Sequence, residues 1–233
     1  MTAAGLRAVL FDLDDTLLPQ GPWLAGAFAA VAVEVAHQAG GHPDAGTVGS
    51  ALLAEAARGS ARGGIIDRAL DGLGLELPVA PLVEVFAGYR PNQLDLYPGA
   101  LEALGRIRER VPVGLVSDGR TDVQGAKLAA AGLMEAFDVV VLSDDLGRAH
   151  RKPDPLPYRT ALEALAVDPA EAAFVGDRPE TDMVGADALG MVTVRVSTGE
   201  YSDRPDLVTP SARVADVVAA VAWLGPRLRV RTP

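Results

Sequence analysis

Short apolar segments alternate with longer amphipathic segments along most of the chain. The apolar segments have the length and β-branched character of strands buried on both faces of a sheet, and they cover residues 7–13, 111–118, 137–145, 172–177 and 191–197. The segments with helical patterning cover residues 100–110, 122–131, 156–166, 180–189 and 213–224. Gly132 and Gly190 stand where two of these helices should end in a left-handed residue. Strands and helices alternating at this spacing predict an α/β protein with a Rossmann-like parallel sheet covered by helices.

One stretch, residues 18–96, interrupts this alternation. It is rich in alanine and has helical patterning without a convincing strand. Because it is far too long for an ordinary connection, we interpret it as an inserted helical domain. Pro98 and Gly99 mark the return to the first domain. We therefore expect an α/β core domain formed by residues 1–17 and 97–233, and a helical domain formed by residues 18–96.

Composition narrows the classes of partner and chemistry. The 233 residues are 49% hydrophobic and carry a net charge of -10, from 21 basic and 31 acidic residues, which disfavours nucleic acid or an anionic membrane as a partner. The absence of cysteine excludes disulfides, thiolate metal sites and thiol catalysis. With no signal peptide and no membrane span in the pattern, we expect a soluble, cytoplasmic protein. No sequence feature predicts its oligomeric state.

Polar side chains follow several of the predicted strands at the point where each strand ends. They are Asp12, Asp14, Ser117, Asp118, Asp177 and Asp182. Ligands of open parallel sheets bind outside the carboxyl ends of the strands, so these side chains should face one site. Carboxylates that face each other repel unless a cation lies among them, and oxygen ligands favour Mg²⁺. We expect Asp12 and Asp177 to be direct side-chain ligands of that ion.

Four motifs resemble those of the haloacid dehalogenase-like hydrolase superfamily, and they occur in the order found in that family. They are "DLDDT" from Asp12 to Thr16, Ser117 after an apolar strand, Lys152 in "HRKPDP", and "GDRPETD" from Gly176 to Asp182. The helical insertion after the first motif is similar to the C1-type cap domain of the family. Each motif stands at a predicted strand end or helix start, so the combination is far more specific than any one of them.

The resemblance implies roles for the residues of the first three motifs. Asp12 would be the nucleophile that forms an aspartyl-phosphate, and Asp14 would be the general acid and then the general base. Ser117 would bind phosphoryl oxygens together with the backbone at Asp118 and Gly119. Asp118 could equally contact the site indirectly or act as a helix cap. Lys152 would bind substrate and balance the charge on the transferred group.

The resemblance also implies a magnesium site. Its ligands would be the side chains of Asp12 and Asp177 and the backbone carbonyl of Asp14. Thr16 and Asp182 would support these residues without being direct ligands.

Position 14 discriminates among the activities of the superfamily. Dehalogenases lack an aspartate there, and members that cleave carbon–phosphorus bonds replace it and use a cap lysine, whereas residues 18–96 contain no lysine. The resemblance therefore predicts a phosphatase acting on a small phosphorylated metabolite. The alternatives are a phosphomutase of the β-phosphoglucomutase type and, less in keeping with the motifs, a non-catalytic binding module. Sugar phosphates, phosphoglycolate-like acids and nucleoside monophosphates all remain open as substrates.

Overall fold

The computed structural model describes residues 5–229 and divides into two compact units. The first unit combines the residues up to Gln20 with those from Gln93 onward, and the second is Gly21–Asn92. The helical domain predicted over residues 18–96 includes this second unit.

The first unit is built on a sheet in which six parallel strands pair within the described residues. The strands are β1 (Ala8–Phe11), β2 (Val113–Ser117), β3 (Val139–Leu142), β4 (Ala172–Gly176), β5 (Val192–Val196) and β6 (Ala212–Val214). Their order across the sheet is β3-β2-β1-β4-β5-β6. The chain moves outward in one direction from β1 to β3 and in the other from β4 to β6. The order therefore reverses between β1 and β4, and the predicted α/β fold class with a parallel sheet is confirmed.

The helices account for most of the remaining regular structure. They are α1 (Gln20–Gln38), α2 (Ala45–Ala56), α3 (Ile65–Leu73), α4 (Val79–Ala87), α5 (Ala100–Arg108), α6 (Thr121–Ala130), α7 (Pro155–Leu165), α8 (Val184–Ala188) and α9 (Val217–Leu224). Among the described residues, no helix combines the length and hydropathy needed to cross a membrane.

Alternate residues of the central strands point to opposite faces of the sheet, and each face has its own core. Val9 and Phe11 pack with buried residues of α5 and α9. Ala8 and Leu10 pack on the other face with buried residues of α7 and α8. Because both faces are covered, the central strands β1 and β4 are apolar throughout, which is why they could be recognised in the sequence.

Two predicted helices differ from the structure. The segment 213–224 begins as strand β6, which pairs in parallel with β5, and becomes helical only after Asp216, whose side chain accepts a hydrogen bond from the Ala219 N–H at 2.8 Å. The segment 180–189 is a π-helical turn over Pro179–Met183 followed by the short α8. Both helix ends predicted from glycine are confirmed, since Gly132 and Gly190 have φ values of 68° and 76°.

The second unit consists mainly of helices and has a separate apolar core. Phe28, Val35, Leu52 and Leu82 are among the residues buried in it. Trp23 packs edge-on against Phe86 in the same unit, with their ring centroids 5.0 Å apart. This core explains how an alanine-rich segment without strands forms a compact unit of its own.

Arg195 of β5 is fully buried and braces the end of the neighbouring strand β4. Its Nε donates to the backbone carbonyl of Asp177 at 3.2 Å, and its Nη2 donates to the carbonyl of Tyr201 at 2.7 Å. A third contact is the ion pair between Nη1 and Asp206. Arg195 therefore links the backbone that follows β4 to the segment that follows β5.

We predict that Arg195→Met lowers the free energy of unfolding by about 2–4 kcal/mol, because it leaves the carbonyls of Asp177 and Tyr201 without this buried donor and removes the ion pair with Asp206. Urea denaturation followed by circular dichroism measures this change. Arg204→Met is the control, since that side chain is 51% exposed and should cost less than about 1 kcal/mol. Equal losses in the two variants would contradict the bracing role of Arg195.

Candidate active site

Asp12 and Asp177 lie side by side where the strand order reverses. Asp12 follows β1, and its backbone N–H donates to the carbonyl of Val175 in β4 at 2.9 Å. Asp177 follows β4 directly and has no exposed surface, while Asp12 is 6% exposed. Parallel sheets bind ligands at this position, outside the carboxyl ends of the strands. The fold thus places two buried carboxylates at its expected ligand crevice.

Lys152 enters this carboxylate cluster from the loop that precedes α7. Its Nζ lies 2.5 Å from Oδ1 of Asp12 and 2.7 Å from Oδ1 of Asp182, and the side chain is buried. Burial raises the pKa of Asp12 to about 7, although Lys152 acts in the opposite direction. Burial by itself lowers the pKa of Lys152, but Asp12 and Asp182 raise it well above its usual range. The lysine is therefore a fixed positive charge beside Asp12.

Asp177 is the least satisfied member of the cluster. Neither of its carboxylate oxygens has a hydrogen-bond partner among residues 5–229. Burial, followed by the charges of Asp182 and Asp12, raises the pKa of Asp177 well above its usual range. A buried carboxylate without donors is costly unless a cation meets it.

The cluster fits a hard divalent cation. Asp12, Asp177 and Asp182 each offer one carboxylate oxygen, and these oxygens lie within 4.8 Å of one another. All the ligand atoms are oxygens, which is the donor set that suits Mg²⁺. The unpartnered oxygens of Asp177 are what such an ion would satisfy.

Asp182 is already engaged through both of its oxygens. Oδ1 accepts from Lys152, and Oδ2 accepts from the backbone N–H of Arg178 at 3.0 Å. The approach of Asp182 depends on Gly176, because a Cβ at that position would lie 2.5 Å from Oδ2. Asp182 thus contacts Lys152 and the loop after β4. These contacts fit the supporting role predicted for it, which stays a prediction.

The side chain of Asp14 is turned toward α6. Its Oδ1 and Oδ2 accept from the Nζ of Lys127 at 2.8 and 2.7 Å. Its Oδ2 also accepts from the Nε2 of Gln124 at 3.0 Å. The same Nε2 lies 2.6 Å from the Oγ of Ser117, the last residue of β2. Asp14 and Ser117, predicted from separate motifs, thus share a hydrogen-bond donor.

Sequence reasoning missed Gln124 and Lys127. Both are buried, and they lie three positions apart on the face of α6 that also buries Val123 and Leu128. Residues three apart in a helix share a face. The sequence does contain a signal for them, because a glutamine and a lysine stand among apolar positions on the inward face of this helix. Buried lysines are rare unless they are paired, so such a lysine indicates a buried acidic partner.

Asp118 and Gly119 form the turn that follows Ser117. Oδ1 of Asp118 accepts from the backbone N–H of Lys152 at 3.1 Å, so it helps to orient the loop that carries the lysine. Gly119 has a φ of 134°, a conformation that other residues rarely adopt. Their contact with a substrate phosphoryl group stays a prediction.

The turn of the first motif is completed by Asp15 and Thr16. Asp15 has a φ of 57°, and its two carboxylate oxygens accept from the backbone N–H groups of Gln20 at 3.0 Å and Glu200 at 3.3 Å. Thr16 is fully buried, and its Oγ1 has no hydrogen-bond partner within the described part of the chain. Asp15 therefore serves the local structure, and the supporting role of Thr16 stays a prediction.

The chain is similar in sequence to a known family of enzymes. A family model described as haloacid dehalogenase-like hydrolase matches residues 6–190. The chain is 33% identical to the phosphoglycolate phosphatase of Rhodospirillum rubrum, over 94% of this chain and 91% of that one. It is 34% identical to the glyceraldehyde 3-phosphate phosphatase of Methanopyrus kandleri, over 85% and 87%. The chain belongs to the haloacid dehalogenase-like hydrolase family.

Two further similarities point the same way. The phosphoserine phosphatase of Thermus thermophilus is 39% identical, over 58% of this chain and 53% of that one. The crystal structure of the HAD phosphatase from Thermococcus onnurineus superposes with a TM-score of 0.69 and 26% identity, covering 97% of this chain and all of that one. Family membership and these phosphatase relatives support assignment of the chain to the phosphoric monoester hydrolases.

We predict that Asp177→Asn stabilises the metal-free protein by about 1–3 kcal/mol near neutral pH, because a neutral amide does not have to take up a proton in order to be buried without donors. The raised pKa of Asp177 means that the folded state keeps a proton that the unfolded chain releases. The wild-type protein should therefore lose stability as pH rises from the ordinary carboxyl pKa toward the raised one.

Thermal unfolding in a chelator at about pH 5 and about pH 8 measures this effect, and the advantage of the variant should be larger at the higher pH. Added Mg²⁺ should raise the Tm of the wild type and have little effect on Asp177→Asn. A wild-type protein that is more stable than the variant in chelator at both pH values would contradict the analysis of this carboxylate.

Proposed function

We propose that this protein is a Mg²⁺-dependent phosphatase that hydrolyses a small phosphorylated metabolite through an aspartyl-phosphate on Asp12. The observation that carries the proposal is the buried Asp12 carboxylate, held 2.5 Å from the Nζ of Lys152 and beside the unpartnered oxygens of Asp177. Such a site has a nucleophile, a fixed positive charge, and negative charge that a second cation would compensate. A phosphoryl group is the anionic centre that suits this combination.

In the first step, an Asp12 oxygen attacks phosphorus and the bond to the leaving alcohol breaks. Asp14, in its protonated form, gives its proton to the leaving oxygen, so the alcohol departs neutral. Lys152 balances negative charge on the transferred group, and the Ser117 hydroxyl donates to a phosphoryl oxygen. This step leaves a phosphoryl group on Asp12 and a carboxylate on Asp14.

In the second step, water attacks the phosphorus of the aspartyl-phosphate. The Asp14 carboxylate takes a proton from the attacking water, and the bond between phosphorus and the Asp12 oxygen breaks. Inorganic phosphate leaves, and both aspartates return to their starting states. The same carboxyl group therefore acts first as an acid and then as a base.

The side chains of Asp12 and Asp177 and the backbone carbonyl of Asp14 would hold the Mg²⁺ ion, with Asp182 and Thr16 in support. When bound, Mg²⁺ supplies positive charge that reduces the repulsion between an anionic nucleophile and an anionic phosphate. The Asp14 contacts support this assignment, since both carboxylate oxygens already accept hydrogen bonds from Lys127 or Gln124.

For the substrate, we propose a short phosphorylated metabolite such as a phosphorylated acid or a sugar phosphate. Relatives of the chain are named as phosphoglycolate, glyceraldehyde 3-phosphate and phosphoserine phosphatases, and the shared element of those names is a small phosphoester. We further propose that the inserted helical unit is the C1-type cap that selects the substrate. An enzyme acting on such metabolites would work in the cytoplasm.

We expect the purified protein to release inorganic phosphate from some members of a panel of these esters, in Mg²⁺ and not in excess chelator. Asp12→Asn should abolish release while leaving the circular dichroism spectrum unchanged, because an amide cannot replace the attacking carboxylate. Asp203→Asn is the matched control at an exposed position. Release by Asp12→Asn at the wild-type rate would overturn the mechanism. Isomer in place of free phosphate would favour a phosphomutase.

Asp14→Asn should lower turnover by about 10²–10⁴-fold, the usual contribution of a general acid and base. Its affinity for Mg²⁺, measured by calorimetry, should stay close to that of the wild type, because only the backbone of this residue is a proposed ligand. Loss of Mg²⁺ affinity in Asp14→Asn would show instead that the side chain binds the ion.

A further inference from the structure

Lysine is very rare in this chain, and both lysines are buried in the candidate site. Of the 21 basic residues, two are lysine and the remaining 19 are arginine. Lys152 contacts Asp12, and Lys127 contacts Asp14. A chain that otherwise uses arginine thus has an ammonium group beside each of the two aspartates proposed to react. The first lysine belongs to a recognised motif, and the second has no assigned role.

Lys127 is bound closely to the Asp14 carboxylate. Its side chain is only 3% exposed, and its Nζ lies within 2.8 Å of both oxygens of Asp14. A charged hydrogen bond to each oxygen restrains rotation of the carboxylate about its terminal torsion. An ammonium group is compact enough for this position, whereas the larger planar guanidinium of arginine prefers a fork geometry.

Gln124 connects this pair to Ser117. Its Nε2 donates to Oδ2 of Asp14 at 3.0 Å and to the Oγ of Ser117 at 2.6 Å. A serine hydroxyl has one proton to donate and two lone pairs that can accept. Because Oγ already accepts from Gln124, its own proton is directed elsewhere and is available for a phosphoryl oxygen.

We propose that Lys127 and Gln124 are positioning residues for the reaction: Lys127 holds the Asp14 carboxyl group in line for both proton transfers, and Gln124 fixes Ser117 and Asp14 relative to each other. The inference rests on the proposed aspartyl-phosphate mechanism. Both residues act through other side chains, and neither is placed in contact with the substrate. Their three-residue spacing lets α6 deliver both to the ends of β1 and β2.

The two steps of the reaction provide a selective test of Lys127. An aryl ester such as p-nitrophenyl phosphate has a leaving group that departs without a proton, so its first step needs no acid. An alkyl phosphate needs Asp14 in the first step. The second step is the same for both substrates and needs Asp14 as a base. If Asp14 is no longer held in position, the first step should therefore slow for the alkyl phosphate only, whereas the second step should slow for both substrates.

With p-nitrophenyl phosphate, Lys127→Met should show kcat lowered by about 100-fold, KM lowered with it, and kcat/KM nearly unchanged. Rapid mixing should reveal a burst of about one p-nitrophenol per enzyme, because the phosphorylated enzyme accumulates. With an alkyl phosphate found in the substrate panel, by contrast, both kcat and kcat/KM of Lys127→Met should fall by about 100-fold. Lys127→Arg should recover part of the loss, since it keeps a cation near Asp14.

Gln124→Met should behave differently from Lys127→Met. Since it also releases Ser117, kcat/KM should fall for both substrates. The control is Arg106→Met on α5, at an exposed position, which should keep wild-type kinetics. Equal losses of kcat/KM on the two substrates in Lys127→Met, or no loss on either, would overturn the positioning role. Absence of phosphate release by the wild-type protein would count against the proposed function itself.

If Lys127→Met does not fold, nuclear magnetic resonance of the protein with isotope-labelled lysine tests the contact between Lys127 and Asp14 directly. The chain should give two lysine side-chain signals, one for each residue. Asp14→Asn should shift the signal of Lys127 strongly and that of Lys152 weakly, and Asp12→Asn should do the reverse. A Lys127 signal that does not respond to Asp14→Asn would contradict the contact on which the inference depends.

Discussion

The structure depends most on the way negative charge is accommodated where β1 and β4 lie side by side. Asp12 and Asp177 follow these strands and are buried, and one lysine compensates only part of their charge. Water is largely excluded from this position, so each uncompensated charge has a large energetic effect. In the proposed function, a bound cation would supply the positive charge that these carboxylates lack.

The rest of the fold holds these charges in place. Parallel pairing of β1 with β4 sets the distance between the two aspartates. The loop before α7 delivers Lys152, and Arg195 holds the backbone of Asp177 from the adjacent strand. An apolar core packs against each face of the sheet and buries the strands that carry these residues. The position of the proposed nucleophile thus depends on the order of the strands as much as on the identity of the side chains.

Much of the fold and site could be predicted because the relevant signals are local. Strands buried on both faces are continuous apolar runs, and a polar residue at the end of such a run is conspicuous, as Asp12 and Asp177 show. Strand β6 was missed because it is short and directly precedes a helix with an N-cap at Asp216. Gln124 and Lys127 were missed because polar residues inside a helix usually face solvent. Their roles depend on the approach of α6 to Asp14, a contact between residues 110 or more positions apart.

The most direct test of the account is to find where the phosphoryl group resides during turnover. The enzyme would be mixed with substrate and Mg²⁺, quenched rapidly in acid, digested and analysed by mass spectrometry. The account predicts a phosphoryl group on Asp12 in the wild-type protein and none in Asp12→Asn. Phosphate release within a single turnover with no phosphoryl group on Asp12 at any time, or with one on a different residue, would contradict it.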